Sequence, residues 1–133
     1  MNTAAEDVKD MLEAESVLGL VFKQNLFVGR EPIIGNNCVT VYDTPGRPPV
    51  LTLSGDAYHY DTIQIRIRNQ DYQTAFDMSH KIMNLLHGST GASWNGTLYT
   101  LITCQSAPAL LDWDDQNRVR FIINFETQRR KED

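Results

Sequence analysis

The residues of this chain that could hold a metal, move a proton or attack an electrophile are three histidines, two cysteines, an acidic run and scattered serines. A zinc site needs ligands spaced so that four atoms converge on one ion, as in His pairs at i and i+4 or Cys-x-x-Cys. His59 sits between Tyr58 and Tyr60 at a strand start, His80 lies one position off the apolar stripe of a helix, and His87 falls in that helix's last turn. None has such a partner, so all three read as structural. "DWDDQN", residues 112–117, opens like a calcium loop. An EF-hand, however, needs glycine at its sixth position and a bidentate glutamate at its twelfth, and Asn117 and Ile123 stand there. An acidic hairpin turn remains. "GSTG", residues 88–91, follows a helix instead of opening one and lacks the Gly-Lys-Ser/Thr that reaches phosphates. No serine lies in a Gly-x-Ser-x-Gly elbow. The expectation is no catalytic residue, no cofactor, no metal and no enzyme.

The elements that carry these residues are legible from their periods. In "DTIQIRIRNQDYQTAFDMSHKIMNLLHG", residues 61–88, Ile63, Ile65 and Ile67 alternate with Thr62, Gln64, Arg66 and Arg68, the period of a half-buried strand. After Asp71 the period is helical, through Tyr72, Ala75, Phe76, Ser79, Ile82, Met83 and Leu86 to Gly88, where a left-handed cap is expected. Thr3-Ala4-Ala5-Glu6 has the form of a capping box and predicts a helix from Ala4 to about Ser16. Val17 to Phe22 extends that helix or forms a buried strand. Asn25–Arg30 and Asn37–Asp43 read as strands. "TPGRPPV", residues 44–50, is a loop or edge-strand approach, since proline cannot donate to a ladder. A strand near Val50–Leu53, a turn at Ser54-Gly55-Asp56 and the strand Tyr58–Arg68 complete a meander. "TLYTLITCQ" and "RVRFIINFETQ" close the sheet, the second with Val119, Phe121, Ile123 and Phe125 on one side. The sum is an α+β fold, a largely antiparallel sheet packed by an N-terminal helix and a long central helix. A chain of 133 residues fits one domain, 1–133.

Composition narrows the partners. Seventeen acidic against twelve basic side chains leave a net charge of -5, which opposes general binding to nucleic acid, where Lys and Arg must neutralise phosphates. "MNTAAEDVKD" has acids where a signal peptide carries a basic and then an apolar stretch, and no run reaches the length of a membrane span. The expectation is a protein made in a cytoplasm, with no membrane partner. Cys38 and Cys104 have neither metal nor disulfide-framework spacing and read as free thiols.

Contact surfaces are then the remaining candidates. Arg47 within the proline loop, followed by Val50, Leu51 and Leu53, combines a charged anchor with apolar residues that favour burial. Docking on a partner and packing on the chain's own core stay equally open. Arg66 and Arg68 share the polar face of one strand and suit pairing with carboxylates across an interface, or else a solvated face. Arg129, Arg130 and Lys131 cluster in "QRRKED", a candidate contact for DNA or an acidic partner, though ordinary solvation of a chain end is the simpler reading.

With these pieces placed, the chain resembles the tail-terminator and minor capsid proteins of long-tailed bacteriophages. The resemblance runs through the acidic first helix, "NLFVGREP", "YHYDTIQIRIRNQDYQTAFDMSHKIMNLLHG" and "RVRFIINFETQ". It implies a virion protein, assembled in the host cytoplasm, that caps the growing tail tube as a hexameric ring, stops its polymerisation and meets the head-side connector. The implied partners are other copies of itself, the tail tube protein, the connector or stopper, and DNA that slides through the lumen without specific binding. Another head-tail neck protein, or a small soluble ligand-binding domain or enzyme, is the alternative.

Overall fold

Helix α1 (Ala4–Ala14) begins where Thr3 turns its hydroxyl back to accept the Glu6 amide at 3.2 Å, and the acids of its first turn, Glu6 and Asp7, suit the helix dipole. The computed structural model describes residues 1–50 and 57–132. Val17–Phe22 is neither of the two expected elements. A single 3-10 turn at Ser16–Leu18 ends on Gly19 at φ 65°, and the Asn25 side chain then ties the bend, accepting from Val21 at 2.6 Å and donating to the Gly19 carbonyl at 3.0 Å.

Strand β1 (Leu26–Val28) pairs with β2 (Cys38–Arg47) in parallel, Leu26 opposite Val39, which corrects the expected meander at this point. Parallel neighbours cannot be joined by a tight turn, so residues 29–37 must travel back along the sheet before β2 starts. That detour shapes the site described below. β2 also continues through the proline segment to Arg47, pairing with β3 (Tyr60–Asn69) from Cys38 opposite Arg68 to Arg47 opposite Tyr60, with an irregularity between Thr44 and Arg47. Gly46 permits this: a Cβ there would collide with the Tyr60 carbonyl oxygen. Gly46→Ala is therefore expected to cost about 1–3 kcal/mol by overpacking against backbone, read as a lower urea midpoint at unchanged slope. The predicted strand Val50–Leu53 and the turn at Ser54–Asp56 lie largely outside the described residues; Val50 itself is exposed and its amide donates to the Tyr58 carbonyl.

Asp71 caps helix α2 (Tyr72–Leu86), its carboxylate accepting from the Thr74 amide at 2.9 Å and hydroxyl at 2.6 Å, and Gly88 follows at φ 82° as its spacing predicts. β4 (Ala92–Trp94), β5 (Thr97–Trp113) and β6 (Val119–Lys131) complete one six-stranded sheet in the order β1-β2-β3-β6-β5-β4, antiparallel except for the first pair. The class is α+β: among the described residues, two α-helices and one mostly antiparallel sheet. A single apolar cluster joins Val8 and Leu12 of α1, Ile82 and Leu86 of α2, and Ile63, Ile65, Ile67, Ile123 and Phe125 of the strands. No described helix is long and apolar enough to cross a membrane.

Candidate interaction surface

Glu31, in the detour between β1 and β2, is the acid on which one end of the sheet converges. Arg68 of β3 donates to it at 3.1 Å, and Arg120 of β6 donates from Nε at 3.0 Å and from a terminal nitrogen at 2.9 Å. Arg68 and Arg120 are register partners on the sheet face opposite the core, so their heads emerge side by side. The other nitrogens fasten the loop's backbone. Arg68 donates to the carbonyls of Pro32 at 2.6 Å and Gly35 at 2.8 Å, and Arg118 reaches the Gly35 carbonyl at 2.6 Å while its Nε pairs with Asp114 at 2.7 Å. The Glu31 hydrogen bond is the foremost cause that holds the Arg120 guanidinium even more firmly protonated than usual. Burial opposes ionisation of Asp114, yet hydrogen bonds from Arg118 and Gln116 hold its carboxyl below the ordinary range.

What this clamp holds up is apolar. Ile33 and Ile34, between the anchored Pro32 and Gly35, are 84% and 88% exposed. Three arginines fixing a loop whose tip is two bare isoleucines is a costly arrangement in water unless the tip meets something. A second exposed apolar surface lies on the core side of the same end. Tyr72 stacks on Trp113 with centroids 6.2 Å apart and meets Phe121 edge-on at 5.1 Å, Phe76 meets Phe121 at 6.0 Å, and Leu110 stands opposite Phe121 in the ladder. Tyr72, Phe76, Leu110 and Trp113 are all exposed around the buried Phe121.

The sequence-predicted contacts fall differently. Arg47 is exposed, over the Tyr60 ring at 4.2 Å and 3.3 Å from Glu126, a surface pair that leaves its head available. Arg66 lies over the Tyr42 ring and donates to Gln64 at 2.8 Å. Arg68 shares that polar face as expected but is 1% exposed, committed to the loop and so not offered to a neighbour. Leu51 and Leu53 lie outside the described residues. The tail is not a free end: Arg129 is buried in β6, donating to Asp61 at 2.8 Å and to the Asn2 carbonyl at 2.8 Å, while Arg130 is half-buried and Lys131 exposed. Of the histidines, His59 exchanges backbone hydrogen bonds with Arg129, His80 lies against Phe76, and His87 accepts the Cys104 amide through Nδ1 at 2.8 Å. Cys38 is buried and Cys104 half-buried, both free thiols. Among the described residues no group of His, Cys, Asp or Glu could hold a metal ion.

The fold is an α+β domain whose distinctive surface features are an anchored loop tipped by two isoleucines and an exposed aromatic patch. The sequence profile described as "Bacteriophage tail terminator protein" matches residues 5–131, and the chain belongs to that family. It is a structural protein of the phage tail, part of the virion and not an enzyme. The fold is shared with a chain of the solved structure described as "Virion of native gene transfer agent (GTA) particle", with a TM-score of 0.65 and 15% identity over 96% of this chain and 94% of that one. No curated protein sequence matches the chain.

Proposed function

We propose that this protein, as a single terminator domain, closes the phage tail tube as a hexameric ring, stops tube polymerisation and presents its other surface to the head-side connector. Family membership gives the class. The observation that supports termination is β5. It pairs with β6 as far as Trp113, but β4 covers only Thr97–Tyr99 on its other side, and beyond the single bridge at Ile102 no described strand pairs with it. An edge this long is a hazard unless it is blunted or covered. Here it is blunted. Pro108 lacks an N–H, and the register breaks between Cys104 and Ser106, Ser106 and Ala109, and Leu110 and Asp112. Such an edge resists open-ended strand addition while keeping Leu110, Leu111 and Trp113 exposed for side-chain contact, which suits a subunit that must stop growth rather than continue it.

Arg47, Val50 and Arg66 belong to the proposed contact surface, as do Arg130 and Lys131 for acidic neighbours. A net charge of -5 lets DNA pass through a lumen without adhering. The test is electron microscopy of the purified protein alone and mixed with tail tubes. Six-fold rings, and density confined to one end of each tube, are expected; particles of monomer size that leave tube ends bare would remove the proposal.

A further inference from the structure

We propose that Ile33 and Ile34 form a preorganised knob that inserts into the Tyr72–Phe76–Leu110–Trp113 patch of a second copy of this chain. The inference rests on the ring reading above and supplies its contact. Among the described residues nothing covers either surface, since all six side chains are exposed. The knob is already ordered by Arg68, Arg118 and Arg120, so little backbone entropy remains to be lost on docking. The patch offers aromatic walls fixed by their contacts with the buried Phe121, the kind of site that accepts branched aliphatic anchors.

Charge selects the occupant. Arg30 is exposed three residues before Ile33 and makes no ion pair among the described residues. Asp115, two residues past Trp113, is exposed and without an ion pair among the described residues. On a chain with five more acids than bases, a cation next to the knob and an acid next to the patch make the two surfaces complementary to each other. Knob and patch lie on different elements and opposite sides of the sheet, so the contact is head-to-tail. Repeated contacts of that kind close into a ring when the rotation permits.

The test measures mass in solution by native mass spectrometry and light scattering, for wild type and for the exposed-site variants Ile33→Asp/Ile34→Asp and Trp113→Asp, with circular dichroism to check folding. Wild type is expected at a multiple of 15.1 kDa and both variants at 15.1 kDa. Arg30→Glu is expected to weaken association about tenfold, and adding Asp115→Arg to restore it. Variants that keep the wild-type mass overturn the knob while leaving the ring in place. A wild type that is itself monomeric removes the ring and the knob with it. Folded variants that keep their mass yet no longer bind tube ends assign the surfaces to the tube and overturn the second-copy assignment.

Discussion

Glu31→Ala is expected to destabilise the protein by about 3–5 kcal/mol, the cost of leaving a buried cation without its carboxylate. The carboxylate serves two guanidiniums, and one of them, Arg68, has almost no access to water. Truncation leaves Arg68 only the carbonyls of Pro32 and Gly35, and its Nε already lacks a hydrogen-bond partner. Arg120 suffers less, because Asp112 remains 3.1 Å away and its head is nearer solvent. The size of the effect thus depends on burial of one arginine, which a second variant checks. Glu31→Ala/Arg68→Met removes the stranded charge and is expected to recover most of the loss, since an apolar replacement of a buried pair is often close to neutral. Lys81→Ala, an exposed change on α2, should stay within about 0.5 kcal/mol of wild type. Urea midpoints for the four proteins decide the matter: a Glu31→Ala loss below about 1 kcal/mol would mean that water reaches Arg68 and that the pair is of the ordinary surface kind.

The helix-capping and alternation signals that located α1, β3 and α2 are local, and they were legible because the chain's own neighbours supply the physics. Asp71 caps the helix it precedes, and Ile63, Ile65 and Ile67 face one way because pleating requires it. Arg68 shows where that reasoning ends. Alternation places it on the polar face beside Arg66, and does so correctly, but a period of two cannot distinguish a face open to water from one roofed by residues 29–37. The roof exists because β1 and β2 pair in parallel, a long-range fact with no local signature. A hint was present nonetheless: two isoleucines between Pro32 and Gly35 in an otherwise polar loop ask for a reason to be there. Arg129 was readable outright. The inward series Val119, Phe121, Ile123, Phe125 keeps its parity through Thr127 to Arg129, all of them buried, so the basic tail is partly the last turnings of a central strand.

At the far end of that series, Asp7→Ala is expected to cost about 3–5 kcal/mol, again by orphaning buried polar groups. Asp7 is fully buried on the first turn of α1 and draws together three distant elements: it accepts from the Tyr99 hydroxyl of β5 at 2.5 Å and from Asn95 at 2.7 Å, with Arg129 of β6 at 3.7 Å. Loss of the carboxylate leaves Tyr99 to share what Arg129 offers, and Arg129 to rely on Asp61 near the surface. Asp7→Asn keeps acceptor and shape without the charge and should fall between wild type and alanine. Burial, and then the hydrogen bond to Asp7, push the Tyr99 phenol far above its usual range, while Arg129 pulls the other way. The sign of the linkage follows: with its folded-state value raised, Tyr99 contributes full stability below about pH 10, and that contribution drains away as pH climbs beyond the phenol's ordinary value. Alkaline titration of tyrosinate absorbance should show one of the five tyrosines silent until the chain unfolds. Tyr99→Phe should reduce the alkaline loss of stability, and an alkaline limb identical to that of wild type would show that Tyr99 reaches solvent and that Asp7 does not bind the helix to the sheet in this way.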